Sequence, residues 1–312
     1  VDPAEAATRR AAVVAAAPHD WYGLMLRRRF ADAFQPVPGL AGGTAPATPD
    51  PPPQLANAVA EVRALAAAGL GDFARRALRD LSPRLRVAGA WDLEIGLAAA
   101  IGDAQWYYVT TMIRHHDLLD APPRAEDAGA WLGLYPRGYA DTATVAGAAY
   151  GVAPDLLHAF MRKESAFDAD AVSPAHAVGL MQLLPRTARR VLDARGRPGA
   201  PPPDLFDPAV NIDLGAWYVQ ALGARFGGQL PLIAAAYNAG PTSVAGWCGG
   251  RRASDADLFV ESIPFKETRE YVKRLVETWA AYRMVHQAAG LDDVAAALPL
   301  TLDLTPRPGV DF

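Results

Sequence analysis

Cysteine is almost missing. Cys248 is the one thiol in 312 residues, so no disulfide can form within the chain, and composition alone leaves the redox compartment open. Between Trp247 and Gly249, it reads as an ordinary, partly buried thiol. Metal-ligand spacings of cysteine and histidine are also missing, and no calcium-loop pattern occurs, so neither a metal nor a cofactor is expected. No apolar stretch reaches the roughly 18 residues of a membrane span. Charge of one sign does not dominate: 30 Lys and Arg face 34 Asp and Glu, for a net charge of −4. That balance excludes the basic footprint of a nucleic-acid binder. The run Arg27-Arg28-Arg29 is too short to change this and reads as a solvated helix face. The chain starts at Val1, so a processed or trimmed N-terminus is expected, with its native start and any signal peptide lying outside this sequence.

β-branched runs are few and alanine is abundant, which predicts an all-α, mainly helical fold. The composition is 51% apolar and 21% charged, ordinary for a globular chain long enough to hold two domains.

Proline and glycine punctuate the helical pattern. Residues 4–34 read as helical, with a restart at Pro18-His19-Asp20. Residues 36–53, which include Pro51-Pro52-Pro53, read as a linker or mobile loop. Helices follow at Leu55–Ala68, Asp72–Asp80 (with Pro83 after it), Trp91–Ile101 and Ala104–His116, a layer or short solenoid without strict repeat. Residues 124–142 look irregular and aromatic, with Trp131, Tyr135 and Tyr139. Helices interrupted by non-helical segments then run to about Gln287, and 291–312 reads as a tail packed on the surface. The domain expectation is a helical N-terminal region at 1–142, a second domain at 143–290 and the tail.

The chemistry concentrates between Pro154 and Val272. Pro154 and Asp155 suit a helix start, by backbone geometry and by the helix dipole. Leu157, Phe160 and Met161 form an apolar stripe, and Glu164 falls four residues after Phe160 on that stripe. A carboxyl held against apolar groups has a raised pKa and can serve as a general acid near neutral pH. The plainer alternative is a solvated residue at a fraying helix end. Ser173-Pro174 begins a turn, and Gly179-Leu180-Met181-Gln182-Leu183-Leu184-Pro185 reads as an extended or looped wall of a groove. Gln182 carries both a donor and an acceptor, as a sugar amide or hydroxyl requires, or it bonds backbone within its own loop. Asp207-Pro208 caps a helix that stops at Gly227-Gly228. The apolar stretch Leu230–Ala236 leads into Tyr237-Asn238-Ala239-Gly240-Pro241, whose polar tips can face a cleft; alone, Tyr237 reads equally as a core tyrosine. The apolar and proline part of Phe259–Phe265 reads as a loop before a long helix with Glu267 near its start. Asp168 and Asp170 read as turn residues after the Glu164 helix.

Glu164-Ser165-Ala166-Phe167, Gly179 to Pro185, Ala235-Ala236-Tyr237-Asn238-Ala239-Gly240-Pro241 and Phe259 to Val272 together resemble the soluble lytic transglycosylase family and its SLT catalytic domain. The resemblance spans roughly residues 143–287. It implies a lysozyme-like catalytic domain, preceded in large members by a superhelical one. It further implies cleavage of the β-1,4 bond between N-acetylmuramic acid and N-acetylglucosamine in peptidoglycan, giving a 1,6-anhydromuramoyl end without water. By position, Glu164 matches the catalytic acid/base, and Ser173, Gln182, Tyr237 and Glu267 match residues that line the groove. Leu184 stands where the family usually has methionine, and Asn238 neighbours the matched tyrosine, so both join the candidate substrate-binding set. The expected partners are peptidoglycan glycan strands and no nucleic acid, for a monomer in the periplasm or cell envelope, a location that follows from the substrate. The alternatives are a lysozyme-like hydrolase, which needs a second carboxylate, and an inactive glycan-binding scaffold.

Overall fold

The computed structural model describes residues 2–40, 43–44, 48–120, 123–249 and 254–309. Those residues are all-α, with no strand among them and only isolated bridges pairing Val172 with Val178, Val178 with Leu183 and Asp255 with Thr301. The chain forms two compact units. One joins Val1–Gly39 to Tyr139–Phe312, and the other is Leu40–Gly138. This grouping differs from the linear division expected at residue 142, because the first helices pack with the last.

Helices α1 (Pro3–Ala16) and α2 (Trp21–Arg29) open the chain, and Asp20 caps α2 through a bond from the Gly23 N–H. Trp21 and Leu24 are fully buried, and such apolar positions must find a partner surface. Arg27 is buried and Arg28 half-buried, contrary to the expected solvated face, while Arg29 is exposed as expected but ion-paired. Arg27 donates to the Gln35 carbonyl (3.1 Å) and Asp292 (2.9 Å), Arg28 to the Leu298 carbonyl (3.0 Å), and Arg29 to Asp255 (2.8 Å) and Asp257 (3.0 Å). The α2 register that buries Trp21 and Leu24 turns these arginines toward C-terminal acceptors.

In the smaller unit, α3 (Ala56–Ala67), α4 (Gly71–Val87), α5 (Trp91–Ile101), α6 (Ala104–His115) and α7 (Ala128–Leu134) pack neighbour on neighbour. Val59, Val62, Leu78, Leu81, Leu85, Leu93 and Leu97 fill the core of its first helices. Two elements depart from expectation. Helix α4 runs through Pro83 instead of ending before it. Pro83 is exposed while Leu78, Leu81 and Leu85 are buried, so packing of the apolar face outweighs the lost backbone bond. Within the stretch expected to be irregular, α7 forms around Trp131, which is fully buried and stacks on Tyr135 at 5.5 Å between ring centroids. Buried Glu94 gathers Ser82, Arg86 and the Trp106 indole N–H as partners, which satisfies an otherwise costly internal carboxylate.

The larger unit continues with α8 (Ala140–Tyr150), α9 (Pro154–Ser165), α10 (Pro185–Ala194), α11 (Pro208–Arg225), α12 (Leu230–Ala239) and α13 (Pro241–Gly249), followed by α14 (Ala256–Glu261), α15 (Lys266–His286) and α16 (Leu291–Ala296). Helix α15 is the central post: α9, α12, α2 and α16 all pack on it. Phe259, expected in a loop, lies in α14 and is buried. The start of 36–53 is tied down rather than free. The Leu291 N–H donates to the Val37 carbonyl (2.9 Å), and Gly39 lies so close to Ala288 that a Cβ would meet its backbone at 2.2 Å. Residues 41–42 and 45–47 of that segment lie outside the described residues. The C-terminal segment is more than a surface tail. Leu291, Val294, Leu298 and Leu302 are buried, and Arg307 donates its N–H to the Arg225 carbonyl (2.8 Å).

The N-terminal helices are therefore part of the larger unit's core. Trp21→Ala is expected to lower its unfolding free energy by about 3–5 kcal/mol, read from the midpoint of chemical denaturation. An unchanged midpoint would show that α2 is dispensable to that core.

Candidate active site

Helix α9 starts at Pro154, whose missing N–H costs nothing at that position. Its apolar stripe, Leu157, Phe160 and Met161, is fully buried, and this sets the helix rotation that turns Glu164 inward. The helix then breaks sharply. Ala166 and Phe167 both take left-handed backbone angles, φ 52° and 67°, a costly conformation for residues with side chains. Phe167 is fully buried, which helps hold the reversal. Ser165 Oγ donates to the Leu180 carbonyl (2.8 Å), so the end of α9 is stitched to the following loop.

That loop carries Ser173, Gln182 and Leu184. Ser173 Oγ accepts the Ala177 N–H (3.0 Å) and closes the turn expected at Ser173-Pro174. Gln182, at φ 46°, donates from Nε2 to the carbonyls of Ala171 (3.1 Å) and Gly179 (3.0 Å). This is the backbone-bonding role the sequence left open for it, and it fixes the loop's shape. Leu184 is half-buried at the cap of α10. Behind the loop stands Asn211 on α11, fully buried. Its Nδ2 donates to the carbonyls of Val178 (2.9 Å) and Leu205 (2.8 Å), and its Oδ1 accepts the Met181 N–H (2.8 Å). Gly179 has no room for a side chain there: a Cβ would lie 2.3 Å from the Asn211 amide.

Helix α12 is buried from Leu230 through Ala236, and it delivers Tyr237 and Asn238. The Tyr237 hydroxyl donates to the Met181 carbonyl (2.7 Å), and its ring packs on Phe160 (4.5 Å) and Tyr218 (5.2 Å). Asn238 Oδ1 accepts from buried Thr268 on α15 (2.7 Å). Glu267 is exposed in the first turn of α15. One turn further on, the Tyr271 hydroxyl donates to Glu164 Oε1.

Glu164 keeps part of its surface open, yet its carboxyl is packed among protein atoms. Burial raises its pKa from 4.5 to about 7. The Tyr271 hydrogen bond and the Lys163 ammonium oppose that rise, and the Glu267 charge adds to it. Lys163 has its own pKa lowered by burial, partly countered by Glu164, and its Nζ lies 5.6 Å from the Tyr271 ring centroid. A half-protonated carboxyl at neutral pH can both give and take a proton. Asp168 lies in the turn after α9, where its Oδ1 accepts the Asp170 N–H (3.0 Å). Among the described residues, no group of His, Cys, Asp or Glu could hold a metal ion.

Glu164 lies within electrostatic reach of Tyr237 and Glu267; Ser165 and Tyr237 both bond the loop that carries Gln182, at Leu180 and Met181, and Asn238 is tied to α15 through Thr268. Sequence reasoning missed Tyr271 and Asn211 as site residues. Tyr271 follows Glu267 by four residues, one helical turn, and so shares its face. Asn211 is a lone amide among the buried positions of α11, a pattern that points to a backbone clamp.

Residues 141–260 match the family described as Transglycosylase SLT domain. The chain carries an SLT domain. Glu267 and Tyr271 lie beyond the matched stretch. The soluble lytic murein transglycosylase of Escherichia coli is 44% identical over 127 residues, which cover 40% of this chain and 20% of that protein. Its Salmonella typhimurium counterpart is 38% identical over 156 residues, 48% of this chain and 23% of that one. The all-α, lysozyme-like architecture is shared with solved structures. The 70 kDa soluble lytic transglycosylase from E. coli aligns with TM-score 0.66 and 29% identity over 90% of this chain and 43% of that chain. A lytic transglycosylase from Pseudomonas aeruginosa aligns with TM-score 0.59 and 27% identity, over 97% of this chain and 45% of that one. The SLT-bearing chain therefore spans under half the length of these relatives.

The raised carboxyl of the SLT domain has a stability consequence. Between pH 4.5 and about 7, the folded chain holds a proton that the unfolded chain releases, so stability falls as pH rises through that window. Relative to Glu164→Gln, the wild type is expected to lose up to about 3 kcal/mol across it. Denaturation curves at several pH values check this, and parallel curves for the two proteins would contradict it.

Proposed function

We propose that this protein is a lytic transglycosylase of peptidoglycan. It cleaves the β-1,4 bond between N-acetylmuramic acid and N-acetylglucosamine without water and leaves a 1,6-anhydromuramoyl end. The observation that carries this reading is Glu164, a carboxyl with its pKa held near 7 by burial, at the junction of α9, α12 and α15. Such a group can act first as acid and then as base, whereas ordinary glycosidases divide these roles between two carboxylates. Of the carboxylates nearest in sequence, Asp168 is engaged in its own turn by the Asp170 N–H, and Asp170 is exposed.

In the proposed reaction, Glu164 protonates the oxygen of the leaving sugar while the C1–O bond breaks. The carbonyl of the substrate's own 2-acetamido group stabilises the cation at C1. The Glu164 carboxylate then removes the proton from the muramic C6 hydroxyl, whose oxygen bonds to C1. The proton returns to Glu164, and no water, metal or cofactor is consumed. In this reading Leu184, Asn238 and Glu267 position the strand. Ser173 and Gln182 act through the loop wall they hold in shape, and Tyr237 orders the wall at Met181. The P. aeruginosa relative was solved as an inactive glutamate-to-glutamine mutant, and the 70 kDa relative in complex with bulgecin A; both support this assignment. The substrate places the protein in the cell envelope, and no described helix is long and apolar enough to cross a membrane.

Incubating purified sacculi with the wild type is expected to release anhydromuropeptides, identified by mass spectrometry. Glu164→Gln should release about 100-fold less or nothing detectable, as for loss of a general acid/base. Reducing-end products would identify a hydrolase with a second carboxylate. Absence of products from the wild type would favour a glycan-binding scaffold.

A further inference from the structure

Two phenols converge on the reaction centre, and their hydroxyls do different work. A tyrosine hydroxyl has one proton to donate. Tyr237 spends its proton on the Met181 carbonyl at 2.7 Å. Tyr271 gives its proton to Glu164 Oε1. The Tyr271 side chain is buried, at 7% exposed, on the α15 turn that faces α9, and the Lys163 ammonium lies over its ring. Packing on one side and a cation on the other leave this ring little freedom to move.

We propose that Tyr271 is the positioning residue of Glu164. By donating to Oε1 it fixes the carboxyl rotamer and leaves Oε2 as the oxygen that delivers and recovers the proton. The proton passes from Oε2 to the glycosidic oxygen, which leaves with the electron pair of the C1–O bond. Oε2 then takes the proton of the C6 hydroxyl as that oxygen bonds to C1. Throughout, Oε1 remains an acceptor from Tyr271, and in the anionic half of the cycle this bond stabilises the carboxylate.

The groups that act on Glu164 are Lys163 on its own helix and Glu267 and Tyr271 on α15; its charge in turn raises the pKa of the Tyr237 phenol on α12, which Tyr218 on α11 also faces. Burial and the Glu164 charge hold the Tyr271 phenol well above its ordinary pKa, so it stays a neutral donor across the working range. Removing this one donor destabilises the anion and leaves the other groups in place.

Tyr271→Phe keeps the ring and removes the bond. The kinetic test rests on the lytic reading: kcat/KM requires protonated Glu164, so activity falls as pH rises through its pKa. In Tyr271→Phe, kcat is expected to drop about 10-fold or more, and the alkaline limb to move up by about one unit, the scale of a hydrogen bond to a charged group. A rate loss with an unmoved limb would reduce Tyr271 to packing and overturn the proposal. A second measurement needs no turnover. In infrared difference spectra against Glu164→Gln at mildly acidic pH, the protonated Glu164 C=O stretch should rise in wavenumber when Tyr271 becomes phenylalanine. An unchanged band would show that Oε1 is not the acceptor, whether or not the protein cleaves peptidoglycan.

Discussion

Burial of one carboxyl, Glu164, against the reach of one phenol, Tyr271, is the interaction on which the rest of the larger unit depends. Burial alone would push the group toward permanent protonation, and the hydrogen bond and the nearby Lys163 pull it back. The balance near neutrality holds only while α9 and α15 keep their spacing. Much of the surrounding sequence serves that spacing. Phe160 anchors α9, Thr268 ties α15 to Asn238, and the buried run of α12 lets these helices approach closely.

The loop between α9 and α10 extends the same constraint outward. It begins with two left-handed residues immediately after Glu164 and Ser165, passes through the tight turn at Ser173, and is clamped from behind by Asn211. The polar side chains within it mostly hold backbone. In the proposed function, what they would present to a glycan strand is a shaped wall, with Leu184 and the start of α15 beside it. The strained backbone next to the acid fits a site whose geometry is maintained at some cost in stability. Helix α2 and the C-terminal segment brace the far parts of α15 and α16, so residues distant in sequence support the post that carries Tyr271.

Much of this was legible in the sequence because the signals were local. The Pro154 start, the stripe ending in Glu164, the Asp207 cap and the apolar run into Tyr237 each determined an element within a few residues. The errors arose where distant contacts decide. Pro83 looked like a stop, but the buried leucines on either side carry α4 through it. Arg27, Arg28 and Arg29 read as solvated because, apart from the Gln35 carbonyl, their acceptors lie more than 200 residues away in sequence. Tyr271 was within a recognised block, yet its role depends on a hydrogen bond across helices that no spacing rule reveals. Gln182 is open to two roles from its chemistry, and the fold adopts the one that satisfies its own loop.

The central claim is that burial holds Glu164 half-protonated near neutrality. Titration of the Glu164 side-chain carboxyl by carbon-13 NMR, with selectively labelled glutamate and assignment through Glu164→Gln, tests it most directly. A midpoint at about 7 is expected. A midpoint at the ordinary carboxylate value of 4.5 would mean that Glu164 is a solvated anion at working pH and cannot be the acid of this site.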